Sequence, residues 1–286
     1  MAVVNFIPDL WSAQLLVSLR KRTVAASLCN RDYEGEIRRM GDSVKITGVN
    51  RPTIGTYTAH TDITVEDIDD NTRSLPIDQA KYFAFELDDV ERAQAVNGGA
   101  LLSQATDEAA FALRDVLDQF VFTTMSAGVS AAAPDNSIAE ATIATATAAY
   151  DRLVDMGVLL DQSNVPNDPG DRWVVVTPSF YGWLLKDSRF VAAGDDAAAS
   201  TRRTGLVGEA AGFTVYRSNN LPDGPGAGAG KNLLAGYNGA TTLAEQVVSV
   251  EAARMEKRFA DMVKGLHVYG AKVTRPEALV SADTIA

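Results

Sequence analysis

The chain is poor in the residues from which active sites, metal sites and covalent frameworks are built. Cys29 is its only cysteine. That excludes an internal disulfide framework and leaves almost no room for a cysteine-based zinc site; the thiol is expected to be buried and inert. There are two histidines, His60 and His267, in no metal-ligand spacing, and a catalytic role is expected of neither. The G-x-S-x-G turn of a serine nucleophile is absent. The run Gly226 to Lys231 looks like a phosphate loop but fails as one. Pro225 stands where the first glycine of G-x-x-x-x-G-K belongs, and Asn232 stands where Ser or Thr would hold magnesium. Residues 222–230 therefore read as a turn-rich, flexible surface loop. Gly205-x-x-Gly208-x-x-x-Gly212 has the wrong spacing for a dinucleotide fingerprint. The adjacent pairs Asp69-Asp70, Asp88-Asp89 and Asp195-Asp196 read as solvated faces rather than paired catalytic acids. No enzyme and no cofactor is expected.

Long apolar runs are missing too. None approaches the ~18 residues of a membrane helix, and residues 1–10 have neither the basic nor the apolar region of a signal peptide. The expectation is a chain made in a reducing cytoplasm, with no membrane partner. Basic residues are in deficit: 26 Lys and Arg against 37 Asp and Glu give a net charge of −11. A sequence-reading DNA binder needs a basic face, so this acidic chain is a poor candidate for that class. DNA confined nearby is not excluded.

What is present suffices for a real core: 286 residues, 46% of them apolar. Residues 8–28 read as an amphipathic helix, with Leu15, Leu19 and Leu28 interrupted by the basic run Arg20, Lys21 and Arg22. From Gly41 to Ile46 the texture turns to strand. Lys81 to Leu87 alternates with period two and is the clearest strand. The ~35 residues between these strands are polar, β-prone and unable to build their own core. An isolated two-stranded excursion is marginal in water, so this one needs a partner surface. Its far end is acidic: Asp62, Glu66, Asp67, Asp69 and Asp70 against Arg51 and Arg73.

The spacing of Leu102, Ala105, Ala109, Leu113, Val116 and Phe120 predicts a long helix over 98–126, with Asp107, Glu108, Arg114, Asp115 and Asp118 off its apolar stripe. Small residues from 127 to 136 mark a boundary. Ser137-x-x-Glu140 reads as a capping box opening a second helix, with Gly157 at its C-terminal cap. Arg172 to Val176 reads as a buried strand, followed by a helix with Thr177 as N-cap and Pro178 in its first turn. Residues 191–204 form a small-residue, charged loop. Phe213 to Tyr216 and Asn232 to Ala235 are further strands. The alternation gives a compact α/β or α+β unit.

Several segments resemble one family in order along the chain. They are Ile7-Pro8-Asp9-Leu10-Trp11, Gly41 to Ile46, the glycine turn 205–212 running into Phe213 and on to Leu221-Pro222, and the closing strands Phe259 to Pro276. Together they resemble tailed-phage major capsid proteins of the HK97-like fold, including relatives of the P22 coat. The resemblance implies an α+β HK97-like fold. Residues 1–40 would be an N-terminal arm and 41–85 an extended β-hairpin loop reaching over a neighbouring subunit. Residues 86–135 would be a peripheral domain with a long spine helix, and 136–240 an axial α/β domain. Residues 241–286 would return to the peripheral domain.

It further implies a coat protein that self-assembles into hexamers and pentamers of an icosahedral shell around double-stranded DNA, in a virion assembled in the host cytoplasm. An encapsulin-type nanocompartment around an enzyme cargo is the alternative. Implied partners are further copies of the chain, a portal protein and DNA held without sequence-specific contact, with shell stability from non-covalent contacts or a cement protein. The fold is expected to start near Met1, and with it a separate scaffold protein is expected. No lysine lies between Lys45 and Lys81, so no isopeptide network through the extended loop is expected. Expected interface residues are Arg51, Glu66, Asp67, Asp69, Asp70 and Arg73 on the extended loop, and Arg20, Lys21 and Arg22 on the arm. Arg202 and Arg203 are expected near the capsomer axis.

Overall fold

The computed structural model describes residues 23–32, 43–49, 52–60, 62, 65–67, 70–88, 98–131, 135–167, 170–187, 208–226, 228, 230–254 and 260–285. In chain order the elements are β1 Ser43–Val49, β2 Asp70–Pro76, β3 Gln79–Asp88, α1 Gly98–Ala127, β4 Ser137–Thr142, α2 Ala146–Gln162, β5 Arg172–Val176, α3 Pro178–Lys186, β6 Glu209–Ala210, β7 Phe213–Arg217, β8 Lys231–Tyr237, β9 Thr241–Arg254, β10 Ala260–Val273 and β11 Leu279–Ile285. They form three sheets: the hairpin β1-β2, a three-stranded sheet β3-β10-β9, and a six-stranded sheet β4-β11-β8-β5-β7-β6.

The six-stranded sheet holds most of the core. Its β5 is buried along its whole length, as a strand covered on both faces must be. Helices α2 and α3 pack against it through Leu153, Met156, Leu160, Phe180 and Leu184, all fully buried. The α3 start is as expected from sequence: Thr177 Oγ1 accepts the Phe180 N–H at 3.2 Å, with Pro178 in the first turn.

Helix α1 runs 30 residues, about 45 Å at ~1.5 Å per residue. It touches both larger sheets. Phe120 meets Tyr269 of β10 edge-on, with ring centroids 5.4 Å apart. Ser126 Oγ accepts the Asn232 side-chain amide of β8 at 2.7 Å. Its buried stripe is Leu117, Asp118, Val121, Phe122 and Met125. The predicted stripe is thus rotated: Val116 is 41% exposed and Asp118 is buried. Packing between two sheets selects a different face from the one that hydrophobic spacing alone favours.

Four other expectations are corrected. Residues 137–142 are a strand, not a capped helix start. β4 pairs in parallel with β11, and that ladder outweighs a local capping signal. Helix α2 begins at Ala146, where Thr145 Oγ1 accepts the Ala148 N–H at 3.2 Å. Gly157 lies inside it, not at its cap, where a Cβ would make ordinary contact with the Phe213 ring at 3.5 Å. Of the helix expected over 8–28, the described part is a single 3₁₀ turn at Ala25–Leu28; residues 8–22 lie outside the described residues. Residues 241–286 are expected to return to the peripheral domain; their strands β9 and β10 lie in the three-stranded sheet, and the last strand lies elsewhere. β11 inserts between β4 and β8 of the six-stranded sheet.

The loop 222–230 is anchored, not free. Gly226 N–H donates to Asp283 Oδ2 at 2.8 Å, and Gly228 N–H donates to Glu140 Oε1 at 2.9 Å. Asp283 is 3% exposed. A Cβ on Gly226 would lie 2.5 Å from both Asp283 Oδ2 and the Glu140 carboxyl carbon. Glycine is required here for close approach of backbone to two carboxylates, not for flexibility. Gly226→Ala is expected to destabilise the subunit by about 1–3 kcal/mol and to lower its melting temperature by several degrees, read by calorimetry. An unchanged melt would show that the loop is not held.

Candidate assembly interface

The hairpin β1-β2 has no core of its own. It pairs in antiparallel register from Ser43↔Pro76 to Val49↔Asp70. At its base Leu75 and Ile77 are buried with Ala244 and Val268. Arg73 of β2 donates to the Thr274 carbonyl just beyond β10, a second tie between hairpin and body. Beyond the strands, Ile54, Tyr57 and Val65 are 86%, 73% and 83% exposed. Isolated exposed apolar side chains are ordinary, but three large ones on one coreless tip mark an interaction surface. The tip is closed by Glu66, whose Oε2 accepts the Thr53 N–H at 2.9 Å. That hydrogen bond holds the Glu66 carboxyl below the ordinary carboxylate value.

Of the expected extended-loop residues, Glu66 and Arg73 thus already have partners in their own subunit. Asp67 is exposed, and Asp70 opens β2 opposite Val49. Arg51, Asp69, the arm bases Arg20, Lys21 and Arg22, and the axis residues Arg202 and Arg203 lie outside the described residues. The apolar trio was missed from sequence. Its signal was available: large apolar residues in a segment with neither helical nor strand periodicity.

A second surface is a cleft beside the segment that begins at Thr23. Residues 23–31, α1 and the strands β9 and β10 enclose a cleft of about 710 Å³, lined among others by Thr23, Ser27, Leu113, Arg114, Leu117 and His267. Arg31 forms an ion pair with Glu245 of β9. His267 Nε2 lies 3.4 Å from the other Glu245 oxygen. The hydrogen bond from His267 holds the Glu245 carboxyl below its ordinary value against the opposing effect of burial, and the Arg31 charge adds to this. His267, one of two histidines, therefore braces the Glu245 carboxylate that pairs with Arg31.

Cys29 lies on the same segment, buried, with its Sγ donating to the Ala25 carbonyl at 3.3 Å. Burial pushes its thiol up to about 12. From an ordinary value of 9.0, this lowers the thiolate fraction at pH 8 roughly 10³-fold. The folded subunit is expected to resist a thiol-reactive disulfide reagent at pH 8 and to react promptly once unfolded. Fast labelling of native protein would contradict this. Among the described residues, no group of three or more His, Cys, Asp or Glu could hold a metal ion. No described helix is long and apolar enough to cross a membrane.

A coreless hairpin, a long helix bridging two sheets and a mixed α/β unit define, in this order, the HK97-like capsid fold. The solved structures agree. The chain matches a Mycobacterium phage Che8 structure with 31% identity and a TM-score of 0.80, over 98% of each chain. It matches the capsid of Cyanophage P-SCSP1u at 17% identity and TM-score 0.78, over 98% of this chain and 93% of that one. It matches the capsid of Ralstonia phage GP4 at 16% identity and TM-score 0.67, over 100% and 98%. These last two speak to the fold alone. No curated protein matches. A model of the phage capsid protein family matches residues 70–282. The chain belongs to that family, as a tailed-phage major capsid protein whose place is the virion capsid and whose working contacts are with its own copies. The nanocompartment alternative is not favoured.

Proposed function

We propose that copies of this chain assemble as hexamers and pentamers into a closed icosahedral shell around double-stranded DNA, and that the chain carries no enzymatic activity. The observation that carries this reading is the apolar tip Ile54, Tyr57 and Val65 on a hairpin that its own subunit leaves exposed. A second copy supplies the missing surface. Burying a large apolar side chain contributes ~1.5–3 kcal/mol, and a shell multiplies one modest contact over many copies.

In this reading residues 1–40 are the N-terminal arm, 41–85 the extended loop, 86–135 the peripheral spine region and 136–240 the axial unit, joined by β11. Residues 241–278 belong with the peripheral sheet. Arg51, Glu66, Asp67, Asp69, Asp70 and Arg73 set the register of the loop on its neighbour, since complementary charge fixes orientation more than affinity. Arg20, Lys21 and Arg22 dock the arm, and Arg202 and Arg203 lie near the capsomer axis. A separate scaffold protein and a portal protein complete the particle, which is assembled in the host cytoplasm and stabilised by non-covalent contacts or a cement protein. DNA is confined, not read, in keeping with a net charge of −11.

Negative-stain electron microscopy of the protein, expressed alone and with its neighbouring genes, tests the proposal. Closed shells, tubes or spirals of hexameric units are expected, with nucleic acid inside filled particles. A monomer under every condition would overturn it, and an enzyme cargo in place of DNA would restore the nanocompartment. Reversing Asp69 and Asp70 to lysine is expected to impair assembly without unfolding the subunit; normal shells from that variant would remove these two residues from the interface.

A further inference from the structure

Asp118 is 2% exposed in the middle of the buried stripe of α1, a position where an apolar residue would pack at no electrostatic cost. Burial pushes its carboxyl above the ordinary carboxylate value, and three hydrogen bonds oppose that rise. Asp118 Oδ1 accepts the Val24 N–H at 2.8 Å and the Ala25 N–H at 2.7 Å. Asp118 Oδ2 accepts one proton of the Asn220 side-chain amide at 3.0 Å. These partners are 94, 93 and 102 residues away in sequence.

Each partner has a physical reason to need the carboxylate. Val24 and Ala25 open the 3₁₀ turn Ala25–Leu28, which has no side-chain cap of its own. The first N–H groups of a helical turn lack acceptors within it, and Asp118 supplies one from another element. Asn220 lies between β7 and the glycine loop. Its side chain also donates to Asp115 Oδ1 at 2.7 Å, and its N–H donates to Ser218 Oγ at 3.1 Å. One side chain of α1 therefore holds both the turn Ala25–Leu28 and the approach to the loop that clasps Glu140 and Asp283.

We propose that Asp118 is a positioning residue that couples the 3₁₀ turn at residues 24–28 to the six-stranded unit through α1, so that a disturbance on one side, at residues 24–28 or at residues 218–222, is felt on the other. A buried acceptor that loses one donor is left underpaired and disfavoured, so weakening one side weakens the other. The coupling is a property of the single subunit. Only its consequence for shell formation rests on the capsid reading.

The test is amide hydrogen exchange on the full-length unassembled protein carrying Asn220→Ala, which leaves Asp118 and the N-terminal segment chemically intact. Exchange at Val24 and Ala25 is expected to quicken roughly tenfold or more, with the amides of β5 unchanged. Unchanged exchange at Val24 and Ala25 overturns the coupling, because a merely local role for Asn220 would not reach them. Asn220→Ser serves if the alanine variant does not fold. Asp118→Asn is the reciprocal probe. It keeps the shape and one acceptor but sets two amide groups against each other at Asn220, so exchange over 218–222 is expected to quicken. Wild-type exchange there in Asp118→Asn also overturns the proposal. Absence of shells from the wild-type protein would instead count against the capsid reading and leave the exchange result standing.

Discussion

Replacing Ile54, Tyr57 and Val65 together by serine is expected to abolish shell formation and leave the subunit's fold intact. All three are more than 70% exposed, so the subunit makes little use of them. Exposed substitutions of this kind shift stability by about 0.5 kcal/mol or less each, a change of a few degrees at most in the melting temperature. In the shell contact proposed above, the same side chains are covered by a second copy. Losing three of them removes roughly 5 kcal/mol per contact, which raises the concentration needed for assembly on the order of 10³-fold. Sedimentation and electron microscopy read the assembly, and calorimetry reads the fold. Normal shells at ordinary concentration would mean that the tip is not the interface. A collapsed melting curve would mean that it belongs to the subunit's own core.

Ending the chain after Ala278 has the opposite signature: the subunit itself is expected not to fold. The residues lost form β11, which pairs with β8 on one side and is the ladder neighbour of β4 on the other. Leu279, Val280 and Ala282 are fully buried. Asp283, which holds the glycine loop at Gly226, goes with them. Two large apolar side chains alone contribute ~3–6 kcal/mol, before the two ladders are counted. A whole domain is stable by only ~5–15 kcal/mol. Insoluble or protease-sensitive protein is expected, without a cooperative melt. A soluble product melting in one sharp transition would show that β11 is an accessory strand. Val280→Asp, which places an unpaired charge at a fully buried site, is expected to behave like the truncation.

The elements legible in the sequence were those with a strong local signal. Period-two alternation gave β3, and a continuous apolar run gave β5. Thr177 and Pro178 gave the start of α3. The absence of large apolar residues in periodic array gave the coreless hairpin. Helix α1 was placed within a residue or so of its observed bounds. The errors share one cause. Ser137 to Glu140 carries a valid helix-capping pattern, yet forms β4 because β11, some 140 residues later, offers it a ladder. Gly226 and Gly228 suggested a mobile loop, yet sit against Glu140 and Asp283 from distant strands. Asp118 looked like a solvated charge beside the α1 stripe, yet is capped into the core by Val24, Ala25 and Asn220.

The candidate interface divides in the same way. The acidic end of the extended loop could be named from composition alone, but Glu66 and Arg73 have partners that only the folded chain provides.

By itself, then, the sequence determined what depends on neighbours within a few turns of chain: the helices and strands with clear periodicity, the excursion that could not bury itself, and the lack of cysteine and histidine clusters for site chemistry. The tertiary structure decided which face of α1 is buried, where β4 and β11 pair, why the glycine loop is fixed, and which carboxylates are structural. Those outcomes depend on contacts between residues roughly a hundred positions apart. Local spacing carries no information about them, because the favourable energy of burial and pairing arises only once the distant partner is in place.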